Sequence, residues 1–155
     1  MLLKGSCHCG AVKFQASSKY PYPFNLCYCS VCRKTAGGGG YAINLSSDAD
    51  SLEIKGKENI GIYSAIIDGK KSLAERNFCK ICASALWVYD SRWPELIHPF
   101  ASAIDSELPI PPERTHLMLS SKKEWVVIDQ KHNDKCFTEY PEESIAQWHE
   151  RHNLA

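Results

Sequence analysis

The sequence has no surplus of charge in either direction. Its 18 lysines and arginines are matched by 18 aspartates and glutamates, counting histidine as neutral. No basic excess is left to follow a phosphate backbone, and no block of like charge suggests a membrane surface, so neither nucleic acid nor membrane is expected as a partner. Long apolar runs are also missing. Nothing approaches the roughly 18–20 consecutive apolar residues that cross a bilayer. Met1-Leu-Leu-Lys-Gly5 is too short an apolar run for a secretory signal. No internal repeat is visible. These absences lead to the expectation of a soluble, cytoplasmic protein. A chain of 155 residues fits one domain with a reasonable core, so residues 1–155 are expected to form a single domain.

What the sequence does have is cysteine, eight of them. In a reducing compartment, closely spaced pairs read as metal ligands before they read as disulfides. Cys27-Tyr-Cys-Ser-Val-Cys32 packs three thiols into six residues, followed at once by Arg33 and Lys34. A soft divalent ion such as zinc suits thiolates and prefers four ligands in a tetrahedron. Three are supplied locally, which leaves one position for water, a substrate thiol or a substrate oxygen. Cys7-His-Cys9 and Cys79-Lys-Ile-Cys82 add two spaced pairs, together enough for one closed site. Cys136 is left over as a spare thiol. Spacing alone does not fix the partition, because Cys27 and Cys29 could also complete a four-thiolate site with either outer pair.

The rest of the chain reads as mainly β. Residues 11–16, 41–45, 51–55, 60–63, 85–89, 96–100, 115–119 and 125–128 have strand-like patterning. Asp68-Gly69 is a turn signal that predicts a hairpin from Ile66-Ile67 to residues 72–76. Tyr20-Pro-Tyr-Pro-Phe24 is a stiff loop or edge, and Leu108-Pro-Ile-Pro-Pro112 is a connector within the domain. A helical turn at residues 33–35 is closed by four glycines, Gly37 to Gly40, which either make a flexible connection or let backbone approach a ligand. Pro141 and two acids open an amphipathic terminal helix with Ile145 and Trp148 on one face. Trp87 and Trp125 read as core residues, and His8 as solvent-facing. His98 and His116 could each complete the open metal site or carry a proton.

Three motifs together, Gly5-Ser-Cys-His-Cys-Gly10, Cys27-Tyr-Cys-Ser-Val-Cys-Arg-Lys34 and Phe78-Cys-Lys-Ile-Cys82, resemble the glutathione-dependent formaldehyde-activating enzyme family, whose domain is shared with centromere protein V. The segment from Thr115 to Trp125 and the terminal helix are similar to that family's C-terminal half. The resemblance implies the zinc-binding β-tent fold, built of small antiparallel sheets with short helices and a C-terminal helix. It also implies two zinc ions per chain: a structural one on Cys7, Cys9, Cys79 and Cys82, and a second, associated with activity, on Cys27, Cys29 and Cys32. One departure is Ala83, where the family usually has glycine. If that position needs φ > 0, alanine there costs about 1 kcal/mol.

The expected chemistry follows from the open position. A coordinated thiol loses its proton near neutral pH and could attack formaldehyde to give S-hydroxymethylglutathione, with cleavage as the reverse, a carbon–sulfur lyase reaction. Glutathione is then a co-substrate, and Arg33, Lys34, Gly38 and Gly39 are the residues expected to bind it. Two other readings stand beside this one. The domain could be a non-catalytic, zinc-stabilised protein-interaction module, or it could perform related chemistry on another thiol adduct.

Overall fold

The computed structural model describes residues 1–131 and 133–154. In chain order the strands are β1 (Leu2–Ser6), β2 (Lys13–Ser17), β3 (Phe24–Cys27), β4 (Ala42–Asn44), β5 (Ser47–Asp48), β6 (Glu53–Lys55) and β7 (Ile60–Tyr63). They continue with β8 (Ile66–Ile67), β9 (Lys70–Lys71), β10 (Ala74–Cys79), β11 (Ala85–Asp90), β12 (Leu96–Pro99), β13 (Arg114–Leu117) and β14 (Lys135–Cys136). Two short helices, α1 (Ser30–Ala36) and α2 (Ile145–Arg151), join them. This is the mainly β architecture, with a C-terminal helix, that the sequence suggests. No helix among the described residues is long and apolar enough to cross a membrane.

The chain forms two compact units, Met1–Lys19 with Ser46–Leu108, and Tyr20–Leu45 with Pro109–Ala155. It passes from the first to the second after Lys19 and again after Leu108, each time at a proline-rich stretch. The first unit holds a three-stranded sheet in the order β1-β2-β6, a five-stranded sheet in the order β5-β12-β11-β10-β7, and the β8-β9 hairpin. Alternation sets its faces: Phe14 and Ala16 of β2 are buried while Lys13 and Ser17 are exposed. Phe14, Leu86, Trp87 and Ile97 close the core around Cys7 and Cys79, with the Phe14 and Trp87 rings 4.9 Å apart. Two apolar cysteine environments thus belong to the core itself.

The second unit is a four-stranded sheet in the order β14-β13-β3-β4. Here the expectation of antiparallel sheets needs correcting, because β13 runs parallel to both β3 and β14. A parallel pair requires a long connection, and β3 and β13 are far enough apart in the chain to have one. α2 docks through Trp148, which is 1% exposed and donates from Nε1 to Glu113 Oε1 at 3.1 Å. Its start is a capping box at Ser144 and Gln147, later than the expected start at Pro141.

Three further expectations shift. Asp68 (φ 50°) and Gly69 (φ 76°) close a two-residue turn from β8 to β9, so the hairpin is shorter than residues 72–76 would make it. Residues 125–128 form no strand. Trp125 is 65% exposed, not core, because in this segment it is Val126 that turns inward.

Candidate metal centres

The first cluster is assembled at two turns of the first unit. Cys7 follows β1, and its backbone N–H reaches the Val12 carbonyl at 3.0 Å while Val12 N–H points back to Cys7 Sγ at 3.2 Å. Cys79 ends β10 in a similar way. Ala83 N–H bonds the Cys79 carbonyl at 2.8 Å, and Ile81 N–H reaches Cys79 Sγ at 3.4 Å. At Cys7 burial raises the thiol, but the Val12 N–H and the neighbouring Cys9 and Cys79 thiols outweigh it and hold it below its ordinary value. Ala83 closes the turn at φ 63°, the left-handed conformation that glycine adopts most easily. The four sulfurs of Cys7, Cys9, Cys79 and Cys82 lie within 4.8 Å of one another. Cys7 and Cys9 Sγ are 3.6 Å apart, and Cys9 and Cys79 Sγ 3.8 Å. A tetrahedron with metal–sulfur bonds of about 2.3 Å has sulfur–sulfur edges of roughly 3.8 Å, whereas a disulfide brings its sulfurs to about 2 Å. The donor set fits a cation. His8, between two of these cysteines, is exposed, and its backbone N–H meets Ser84 Oγ at 3.0 Å. The Ser84 hydroxyl also lies against Cys82 and lowers that thiol to about 5.

The second cluster lies in the second unit at the junction of β3 and α1. Cys27 ends the strand, Cys29 caps the helix by accepting from Cys32 N–H at 3.3 Å, and Cys32 sits in the first turn. The sequence folds this way because two extended residues lead into a turn whose free N–H groups need an acceptor. The three sulfurs lie within 4.8 Å of one another, and among the described residues no histidine or carboxylate joins them. Crowding shows in their acidity. The Cys29 thiol is held far down, to about 2, because Cys27 and Cys32 donate to it, and the same sharing pushes Cys27 up. Thiols crowded closely enough to share protons form an arrangement in which a cation can replace the protons.

Around these sulfurs the expected ligand-binding residues are unequal. Arg33 Nε is buried and has no hydrogen-bond acceptor. Lys34 is exposed. A Cβ at Gly38 would meet nothing within 4 Å, and one at Gly39 only the Tyr41 ring at 4.0 Å, so these two glycines are open backbone. The constrained glycines are their neighbours. A side chain at Gly37 would run into the Tyr41 carbonyl, and at Gly40, with φ 96°, into Val126 and Trp125.

One feature escaped sequence reasoning. Tyr28, between two cysteines of the cluster, is 1% exposed and turns its ring inward against Tyr41 and His116. Its hydroxyl lies 2.8 Å from His116 Nδ1, and His116 Nε2 lies 3.2 Å from Asp134 Oδ2. Asp134 also receives Arg114 through its backbone N–H, Nε and Nη2, and Lys131 through its backbone N–H. Both nitrogens of His116 are thus engaged away from the sulfurs. His98 belongs to β12 of the other unit. Burial raises the Tyr28 phenol to about 12, so it remains a donor at neutral pH. The sequence signal was His116 itself, a histidine beside a threonine in a strand-like segment.

Comparison with known proteins adds the context. A protein of Halomonas elongata, provisionally named a glutathione-dependent formaldehyde-activating enzyme, is 67% identical over 154 residues, 99% of this chain and 98% of that protein. An uncharacterised lyase of Schizosaccharomyces pombe is 30% identical over 84 residues, 54% of this chain and 55% of that one. A crystal structure of a Rhodobacter sphaeroides protein superimposes with a TM-score of 0.55 at 26% identity, covering 68% of this chain and 91% of that one. The pattern described as glutathione-dependent formaldehyde-activating enzyme matches residues 2–121, and this chain belongs to that family.

Proposed function

We propose that this protein is a zinc-dependent carbon–sulfur lyase that forms and cleaves S-hydroxymethylglutathione from glutathione and formaldehyde. The observation that carries this reading is the Cys27, Cys29, Cys32 cluster, three sulfurs gathered with no fourth protein donor among the described residues. Cys7, Cys9, Cys79 and Cys82 would hold a structural zinc, since four thiolates close its coordination. Zinc bound at the three-cysteine site supplies a soft Lewis acid that lowers the pKa of a thiol brought to it.

The chain's own residues do the rest. Arg33 Nε offers a buried, unused N–H to a carboxylate of glutathione. Lys34 adds a solvated positive charge beside it, and Gly38 and Gly39 leave the backbone open to close approach. Tyr28, fixed by His116 and Asp134, holds the Cys27–Cys29 turn against the sheet. In the forward direction the glutathione thiol gives up its proton, its sulfur forms a bond to the formaldehyde carbon, and the carbonyl oxygen takes up a proton. Cleavage reverses these changes. Three thiolates donate strongly and leave a mild Lewis acid, which suits an unhindered aldehyde. Seven clustered thiols also suit a reducing cytoplasm.

The test is a titration of cobalt-substituted protein. Thiolate-to-cobalt bands should change with glutathione and stay unchanged with S-methylglutathione, which has no ionisable thiol. Bands indifferent to glutathione would refute the reading.

A further inference from the structure

Two of the four tryptophans, Trp87 and Trp148, are buried in the cores of their units. Trp125 is 65% exposed, a large apolar surface for a side chain that is otherwise firmly placed. The turn that carries it is anchored. Val126 N–H bonds the Lys123 carbonyl at 3.0 Å, Lys122 Nζ reaches the Val126 carbonyl at 2.9 Å, and Val126 itself is 5% exposed. The far edge of the indole, Cη2 and Cζ3, lies 3.1 and 3.3 Å from where a Cβ of Gly40 would stand. The ring therefore packs by that edge beside Gly40, and most of the residue is exposed.

Its position relates it to the three-cysteine cluster. Gly40 ends the loop that leaves α1, the helix of Cys32, and its N–H bonds the Gly37 carbonyl at 3.2 Å. Two residues further on, Ala42 is the register partner of Cys27. Strand rise and pairing distance place Gly40 within roughly 13 Å of Cys27, Cα to Cα. A tripeptide thiol spans roughly 10 Å when extended. That length is comparable with the Cys27–Gly40 separation, so the body of a molecule with its sulfur at the cluster is of a size to meet the indole beside Gly40. Arg33, which directly follows Cys32 in the sequence, has a buried and unpartnered Nε–H. The two groups match different parts of one ligand class: an anion for the guanidinium, and planar amides for an indole face.

We propose that Trp125 is a specificity-determining residue that stacks on the peptide body of the thiol substrate and so selects a peptide thiol over a bare small thiol. This rests on the reading of the three-cysteine cluster as a thiol-binding site. Trp125 lies four residues past the stretch matched by the family pattern, which ends at residue 121.

The experiment compares glutathione with 2-mercaptoethanol on cobalt-loaded protein, reading both the cobalt bands and tryptophan fluorescence. Glutathione, and not 2-mercaptoethanol, should change the fluorescence of the unaltered protein, and Trp125→Phe should remove most of that change. Trp125→Ala should weaken glutathione binding about three- to tenfold, the range expected for loss of one aromatic contact, and leave 2-mercaptoethanol binding unaltered. Trp125→Phe should bind glutathione within about twofold of the unaltered protein. Equal weakening for both thiols would show a structural role and overturn the proposal, as would no weakening for either. Cobalt bands of the unaltered protein that ignore both thiols would instead overturn the thiol-site reading, and this inference with it.

Discussion

The Tyr28 hydroxyl donates to His116 Nδ1 across 2.8 Å in the interior of the second unit, and this bond ties a turn between two candidate metal ligands to the middle of a sheet. The direction of donation follows from the next link. Asp134, ionised and paired with Arg114, accepts from His116 Nε2–H, which leaves Nδ1 as the acceptor. The Cys27–Cys29 segment is thereby held from beneath by side chains that touch none of its sulfurs.

Breaking that support should be costly. Asp134→Asn leaves Arg114 without its carboxylate and removes the group that fixes the His116 tautomer. Stability should fall by about 3 kcal/mol, the scale for losing one partner of a buried pair. Burial works against the Asp134 charge, but Arg114 and the backbone donors outweigh it and hold the carboxyl well below the usual carboxylate range. A depressed folded pKa means that this stabilisation is complete above the unfolded value of about 3.9 and is lost as pH falls toward the folded one. Urea midpoints measured between pH 3 and pH 6 should therefore fall more steeply for the unaltered protein than for Asp134→Asn. Parallel slopes would show that Asp134 does not carry this linkage.

Ala83 offers a gain. It sits at φ 63° in the turn that presents Cys79 and Cys82. A non-glycine residue there costs about 1–2 kcal/mol, partly offset by the extra unfolded-state freedom of glycine. Ala83→Gly should raise stability by about 0.5–1 kcal/mol, read as a higher denaturant midpoint with an unchanged slope. Ala83→Val, β-branched at the same angle, should lower it.

These residues also show what was legible in the sequence. The thiol clusters could be read because metal ligands on one turn lie close in sequence, and the alternation of Lys13–Ser17 could be read because one face of that strand meets a core. The resemblance raised a left-handed backbone at Ala83 only as a condition, from the glycine usual there, and the structure supplies the angle, φ 63°. The Tyr28, His116 and Asp134 chain was not legible, since its members are separated by 88 and 18 residues and meet only through sheet pairing. Residues 125–128 misled for the opposite reason. Trp, Val, Val and Ile satisfy a strand pattern, yet Val127 is 88% exposed, because this run packs against Gly40 through Val126 and joins no strand among the described residues.

The two cysteine clusters should respond differently to loss of a ligand. Purified protein is expected to carry about two zinc ions per chain, one for each cluster. Cys79 is fully buried in the apolar core of the first unit, beside Cys7, Phe14 and Leu86. Metal binding there is folding energy, so Cys79→Ser should abolish cooperative unfolding and retain less than one zinc. Cys29 is only partly buried at a helix start. Cys29→Ser should keep one zinc and a cooperative transition while losing the thiol-responsive cobalt bands. Equal thermal loss in both variants would erase the distinction between the sites.

The four glycines after α1 separate into two kinds, and substitution should reveal it. Gly40 combines φ 96° with Val126 and Trp125 side chains that fill the place where a Cβ would stand. Alanine there must both adopt a strained backbone and displace a buried valine, at about 1–2 kcal/mol for the first and about 1–3 kcal/mol for the second. Gly38 has neither constraint, so Gly38→Ala should leave the melting temperature unchanged. Any loss of glutathione binding in Gly38→Ala then reports close approach of a ligand to that backbone, because nothing in the protein occupies the space. Gly40→Ala should lose stability and glutathione binding together, since it moves the indole that the substrate is proposed to meet. Calorimetric melting and a glutathione titration on both variants check this. A Gly40→Ala variant as stable as the unaltered protein would mean that the Trp125 turn is not packed as described.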